Sequence, residues 1–177
     1  QIEIPAHVEY FENGELAFDL DVATRIAGKT SRRQPKRSFS LFAGKGLSDT
    51  YFNYPIFKDK PITSFKSITV RADATSGRNV QDLWVGERFK NELMYQVNRQ
   101  MGSTVSMQAY QPCVLYLNGE YWGLYNIMER KGAQFLFDNY GIEDADVITG
   151  EYGELVEGTG TSYNRMLDFA KLFELRH

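Results

Sequence analysis

The feature that most constrains the fold is a run of strand-forming residues at positions 113–129. Residues 114–117 and 121–127 are rich in the aliphatic and aromatic side chains that favour strands. Asn118-Gly119 separates them and accepts the positive φ angles of a type I′ turn. The run therefore predicts a β-hairpin. Because nearly every residue in it is apolar or aromatic, we expect both faces to be covered and the hairpin to be central in a sheet.

Four further segments extend this sheet. Residues 2–11 and 16–27 alternate between apolar and polar side chains, and Asn13-Gly14 between them predicts a second hairpin. Residues 36–42 and 65–71 alternate as well and predict two single strands. We expect a mixed, mainly antiparallel sheet of about five to seven strands.

Apolar residues recur at helical spacing over residues 80–101, which predicts one long helix that ends at Gly102 and packs on the sheet. Gly86 is a candidate break within it. Residues 133–140, followed by Gly141, and residues 163–175 predict two shorter helices. The apolar side of the last helix has little left to pack against, so self-association through it is expected. The fold class predicted is α+β.

Composition excludes several classes of function. The 177 residues are 42% hydrophobic, which supports a globular core. The net charge of −3 and the lack of a long Lys/Arg block argue against a nucleic-acid partner. The single cysteine, Cys113, cannot form an internal disulfide and is expected to be a buried, inert thiol. Two histidines, His7 and His177, are too few and too far apart for a triad or a zinc site. No apolar run reaches the roughly 20 residues of a membrane span.

Two charged segments are candidate ligand sites. The loop at residues 28–36 carries Arg32, Arg33 and Lys36 among glycine and hydroxyl side chains, which are donors that phosphate requires. A solvated basic loop has the same composition, and the residues alone leave both interpretations open. Three acidic residues at 143–146 lack the spacing of a calcium loop and predict a solvated turn, so no metal site is expected.

Residues 117–129, Leu-Asn-Gly-Glu-Tyr-Trp-Gly-Leu-Tyr-Asn-Ile-Met-Glu, resemble the signature of the CotH family. These are spore-coat and secreted proteins with an atypical protein-kinase fold. Residues 28–39 are similar to the family pattern Gly-x-x-Ser-Arg-x-x-Pro-x-Lys-Ser-Phe with one residue inserted. The resemblance covers essentially the whole chain. It implies a kinase small lobe at residues 1–131, followed by a linker and the truncated start of a second lobe at 132–177.

The resemblance also implies roles for single residues. It gives Lys36 the contact with the phosphates of ATP, with Arg32 or Arg33 beside it. Glu92, on the predicted long helix, takes the place of the ion-pair partner, with Glu87 in reserve. Surface carboxylates remain the alternative for both glutamates.

Glu129 lies where the hinge of a kinase would be expected, so it is a further candidate for contact with the nucleotide. Its alternative role is a structural pair with Arg130 or Lys131. Lys90-Asn91 departs from the Arg-Asp found in relatives, which puts any role of that aspartate in doubt here.

The catalytic half of the family pattern is missing from this chain. In relatives, the base and the metal-binding aspartates follow in Asp-x-x-x-x-Asn and Asp-x-Asp patterns, which are absent after Tyr163. No catalytic residue is therefore predicted. ATP and Mg²⁺ are implied for the full-length protein, and neither is expected to bind this piece well. The chain opens on Gln1 rather than Met, which suggests a trimmed or excised piece.

Two functions from different classes follow. The first is the amino-terminal part of a bacterial CotH-like kinase, secreted or on the cell surface or spore coat, that phosphorylates secreted or coat proteins; its protein substrate is unknown. The second is a non-catalytic surface binding or structural module. In that case Tyr51, Phe52 and Tyr54 would stack on sugars, although a packed loop also explains these rings.

Overall fold

The computed structural model describes residues 2–47, 49–72, 78–80, 83–85, 89–150 and 153–174. The chain divides into two compact units, Gln1–Arg130 and Lys131–His177. Among the described residues the strands are, in chain order, β1 (Ile4–Glu12), β2 (Glu15–Ala27), β3 (Ser38–Phe42), β4 (Phe52–Asn53), β5 (Ser64–Phe65), β6 (Ser67–Arg71), β7 (Arg78–Val80), β8 (Leu83–Val85), β9 (Tyr110–Leu117), β10 (Glu120–Glu129), β11 (Val147–Thr149) and β12 (Glu154–Glu157). The helices are a 3₁₀ helix (Thr30–Arg33), α1 (Lys90–Gln100), α2 (Ala133–Tyr140) and α3 (Thr161–Glu174).

A curled antiparallel sheet of six strands organises the first unit. Its order is β1-β2-β3-β6-β10-β9, and every neighbouring pair is antiparallel. Both predicted Asn-Gly turns are confirmed. The φ angles are 54° and 84° at Asn13 and Gly14, and 51° and 82° at Asn118 and Gly119. These positive values are the ones that a type I′ turn requires.

The predicted central position of the signature hairpin is wrong, because β9 is an edge strand and only β10 has a neighbour on each side. Large side chains of the hairpin face solvent, with Leu124 70% and Tyr116 62% exposed. Tyr116 stacks edge-on against Tyr121 across the pair, with ring centroids 5.7 Å apart. Contacts between side chains across the hairpin stabilise these residues without a third strand. The apolar composition of the hairpin therefore did not predict whether it lies at the centre or the edge of the sheet.

The core lies on the face of the sheet that carries Val22, Leu41, Ile68 and Ile127. The segment from β4 to β5 covers part of this face, and three of its side chains are fully buried: Phe52, Ile56 and Phe57. The packed loop proposed for the aromatic residues is therefore present.

The rings proposed to stack on sugars are engaged inside the protein. Phe52 is fully buried. Tyr54 packs against Tyr10 and Phe18, with ring centroids 5.8 and 6.0 Å away. The half-buried ring of Tyr51 lies 5.6 Å from the ammonium of Lys66.

The predicted long helix over residues 80–101 is wrong in its first half. α1 has 11 residues, and β7 pairs with β8 where the helix was expected to begin. Val80, Leu83 and Val85 are apolar residues at a spacing that a strand pair can also use, and two of them are β-branched. Residues 81–82 and 86–88, which include Gly86 and Glu87, lie outside the described residues. The predicted C-cap is confirmed, since Gly102 follows the helix with a φ of 63°.

The second unit contains α2, the β11–β12 hairpin and α3. Gly141 ends α2 with a φ of 68°, as predicted. Both predicted helices are present, and Met166 and Phe169 of α3 are exposed. Among the described residues, no helix has the length and apolar character needed to cross a membrane.

Candidate functional site

Lys36 is held against strand β10. Its Nζ donates to the main-chain carbonyl of Leu124 at 2.5 Å and lies 4.5 Å from the centroid of the Tyr125 ring. A cation over an aromatic face is attracted by the ring quadrupole. The Tyr125 hydroxyl donates to the carbonyl of Arg37 at 3.1 Å, so the segment entering β3 is tied to β10 at two successive residues.

A glycine in the signature shapes the strand at this point. The pairing of β9 with β10 shifts between Tyr121 and Gly123, and Gly123 has a φ of 91°. Side-chain-bearing residues rarely adopt this conformation, and bulges that require it select glycine. The bulge lies immediately before Leu124, whose carbonyl accepts the hydrogen bond from Lys36.

The two arginines of the basic loop lie at the end of the 3₁₀ helix. Both are exposed. The Arg32 Nε donates to the carbonyl of Lys29 at 3.3 Å, which folds that side chain back on its own loop. Together with Lys36, these residues place three cations within five residues of chain.

Glu92 lies in the first turn of α1 and is only 6% exposed, so the surface-carboxylate alternative is wrong for it. Its Oε1 accepts a hydrogen bond from the Asn126 side-chain amide at 2.8 Å. Tyr125 and Asn126 are successive residues of β10, and successive side chains of a strand face opposite sides. Lys36 and Glu92 therefore approach β10 from opposite faces.

Glu129 is a buried anchor at the end of β10, 3% exposed. Its Oε2 accepts hydrogen bonds from the Lys60 ammonium at 2.5 Å and from the main-chain N–H of Ala109 at 2.8 Å. The side-chain amide of Gln108 donates to its main-chain carbonyl. Lys60, which the sequence interpretation did not name, is therefore a partner of Glu129. The Arg130 guanidinium lies 5.2 Å from the centroid of the Phe42 ring.

A second polar cluster, which the sequence interpretation missed, fixes the position of α1. The Tyr95 hydroxyl donates to the Asp59 carboxylate, and Arg99 pairs with the same carboxylate at 3.3 Å. Burial, followed by the bond to Asp59, raises the pKa of the Tyr95 phenol well above its usual value. Tyr95 is three residues after Glu92, so one face of α1 carries both buried polar groups. The three-residue spacing of Glu92 and Tyr95 was the feature of the sequence that could have predicted this shared face.

Other titratable groups have structural roles. Asp146 accepts hydrogen bonds from the N–H groups of Thr159 and Gly160 at 2.9 and 2.8 Å. The Gly160 N–H is the largest cause that lowers the pKa of Asp146. This residue therefore stabilises the approach to α3, whereas the sequence predicted only a solvated turn. The predicted burial of Cys113 is wrong in degree, since its side chain is half-buried and lines a groove. Burial nevertheless raises the pKa of its thiol to about 11, so little thiolate is present at neutral pH.

Within the described ranges, no group of three or more His, Cys, Asp or Glu side chains could hold a metal ion. The fold is α+β, built on an antiparallel sheet with a helix anchored beside it. The sequence matches the family described as CotH kinase protein over residues 24–171, which is most of the chain. The protein belongs to this family. No curated protein matches the sequence.

Proposed function

We propose that this chain is the amino-terminal part of a CotH-like protein kinase and that its first unit supplies phosphate contacts to an ATP cleft. Family membership supports the class of protein. The single observation that supports the site is the position of Lys36, whose ammonium donates a hydrogen bond to the Leu124 carbonyl and lies over the Tyr125 ring. A cation fixed on the signature strand is a defined point at which to bind an anionic group.

The described residues fit the phosphates of ATP better than its metal. Lysine and arginine donate charge-assisted hydrogen bonds to phosphate oxygens, and Lys36, Arg32 and Arg33 lie in one loop. Beside ATP, one or two carboxylates hold Mg²⁺ together with the phosphates, and the basic loop at residues 28–36 contains no carboxylate. In this proposal the metal-binding carboxylates, and the acid that places the acceptor hydroxyl, belong to the second lobe of the parent protein.

Glu92 and Glu129 enter the proposal in different ways. Glu92 anchors α1 to the strand that seats Lys36, through Asn126, so it acts on the site by positioning. Glu129 is enclosed by Lys60 and the Ala109 N–H and therefore acts through stability. The protein substrates proposed are secreted or coat proteins, and a bacterial surface or spore-coat location is proposed on family membership alone.

Calorimetric titration of Mg-ATP into this chain and into the longer parent tests the proposal. We expect the parent to bind and this chain to bind poorly, because a kinase cleft lies between two lobes. Lys36→Met in the parent should weaken binding by about tenfold or more, and Lys36→Arg should retain part of it. Lys66→Met is the matched control, because this exposed ammonium also lies over a tyrosine ring, 5.6 Å from its centroid.

Two results would contradict the proposal. In the first, neither protein binds Mg-ATP, which would favour a non-catalytic surface module. In the second, Lys36→Met lowers the unfolding midpoint of the parent but leaves ATP affinity equal to that of Lys66→Met. Lys36 would then be a structural residue that ties the β3 segment to β10.

A further inference from the structure

The curl of the sheet brings its two edge strands to opposite sides of one groove. This groove has a volume of about 980 Å³ and is lined by β1 and β9. Among the described residues, each edge strand has one hydrogen-bonded neighbour in the sheet, so its other edge carries main-chain N–H and C=O groups that can pair with an added strand. The lining includes Glu9, Tyr10 and Phe11 on one side and Cys113, Leu115 and Tyr116 on the other.

The two edges differ in their capacity to pair. β9 contains Pro112, which has no N–H to donate to a ladder. In β1 the only proline is Pro5, near its start, and residues 6–12 follow without another. β1 is therefore the edge that can accept a new strand, and β9 forms a wall of apolar and aromatic side chains opposite it.

Charge on the β1–β2 ribbon indicates what such a strand would carry. Glu9 lies directly opposite Asp19 in the register, a like-charge pair that disfavours the ribbon. Asp21 lies opposite His7, whose Nδ1 is 2.9 Å from the Asp21 carboxylate and whose Nε2 is 3.8 Å from that of Asp19. The described residues that line the groove include no lysine or arginine. A cation placed beside Glu9 would relieve the repulsion.

We propose that this groove is a docking site for an extended segment of another protein in which basic and apolar residues alternate. The segment pairs its main chain antiparallel to β1, turns its basic side chains toward Glu9 and Asp19, and lays its apolar side chains against β9. Period-two alternation matches the two faces of a strand, one toward the charged ribbon and one toward the apolar wall. This site is independent of Lys36 and of any nucleotide.

The test uses the complete 177-residue chain and a synthetic seven-residue peptide of alternating lysine and valine, capped at both ends. We expect measurable binding by calorimetry and slower amide hydrogen exchange in β1 when the peptide is present. A peptide with glutamate in place of lysine should not bind. A peptide with proline at its centre should bind at least about tenfold more weakly, because it loses ladder hydrogen bonds.

A charge-reversal variant at Glu9 tests the role of its carboxylate in binding the peptide. Glu9→Lys should weaken binding of the lysine–valine peptide by about tenfold or more. The variant should fold well, because it replaces a like-charge pair with an opposite-charge pair. Asp168→Lys, at an exposed position in α3, makes the same change in net charge away from the groove and should leave affinity unchanged. Equal affinity of the two variants would overturn the proposal, and so would unchanged exchange in β1 at saturating peptide.

Cys113 provides a second readout, since it lines the groove and is the only cysteine in the chain. Bound peptide should slow its alkylation by a maleimide, measured at pH 9 because the pKa of the thiol is about 11. Prior alkylation with a bulky maleimide should block the peptide. An alkylation rate that is unchanged at saturating peptide would place the peptide elsewhere and overturn the proposal.

Discussion

Replacing Glu129 with glutamine tests whether this residue supports the fold or contacts a nucleotide. The carboxylate is 3% exposed and accepts from Lys60, whose side chain is 15% exposed, and from the Ala109 N–H. Glutamine keeps the size of the side chain and an oxygen for the N–H. It removes the negative charge that the largely buried Lys60 ammonium contacts in the wild type.

The expected loss of stability follows from that geometry. Removing one partner of a fully buried ion pair costs about 3–5 kcal/mol, because the other charge stays buried without compensation. Lys60 retains some contact with water, and glutamine retains a hydrogen bond, so we expect about 2–3 kcal/mol. For a chain of this length, that loss lowers the melting temperature by roughly 8 °C.

Urea unfolding of the wild type, Glu129→Gln, Lys60→Met and the double variant measures this. The double variant should lose less stability than the sum of the single changes, since neither charge is then buried alone. An unchanged urea midpoint for Glu129→Gln would refute the reasoning. If that variant of the parent also lost ATP affinity at full stability, the role in nucleotide contact would replace the structural one.

Three further outcomes are expected. Gly119→Ala should cost about 1 kcal/mol in urea unfolding, because the φ of 82° disfavours a Cβ; no loss would argue against the type I′ turn. Tyr95→Phe should cost about 1–2 kcal/mol by removing the bond to Asp59, and a neutral result would show that the pair of Arg99 with Asp59 is sufficient at this contact. Asp146 has a lowered pKa, so its stabilising effect is present above its unfolded pKa of about 3.9 and is lost as pH falls through the folded value. Asp146→Asn should remove that acid-dependent loss of stability, measured by thermal unfolding across pH; a retained pH dependence would assign it to other carboxylates.

Local signals in the sequence were sufficient for turns and helix ends. Asn-Gly between two strand-like runs strongly favours a type I′ turn, and both Asn-Gly pairs form hairpin turns in the structure. Gly102 and Gly141 end helices because each adopts a positive φ at no steric cost. These features depend on a few adjacent residues, so a single sequence contains the information needed to predict them.

The long predicted helix failed because periodicity is ambiguous over short apolar runs. Val80, Leu83 and Val85 fit a helical face and a pair of short strands about equally well. Whether a segment joins a strand pair depends on its partner, and the pattern of one segment does not contain that information. The same limit explains the hairpin, whose apolar composition suggested a central position although β9 lies at the edge.

The buried polar pairs were missed for a related reason. Lys60 and Glu129 are 69 positions apart, and Asp59 and Tyr95 are 36 apart. Each of these side chains is also a plausible surface residue, and sequence spacing at such distances carries no geometric information. Asp59 and Lys60 reach their partners because the segment after β4 folds over the sheet, and sequence spacing does not encode that placement.

The signature run itself can be interpreted as a framework that positions other residues. Gly123 permits the bulge. The Leu124 carbonyl and the Tyr125 ring contact the ammonium of Lys36. The Asn126 amide donates a hydrogen bond to Glu92 on the other face. Alternation along β10 converts adjacent positions in the sequence into contacts on two sides of the sheet. The motif therefore constrains a cation from one segment and a helix from another, although it contributes no cation of its own.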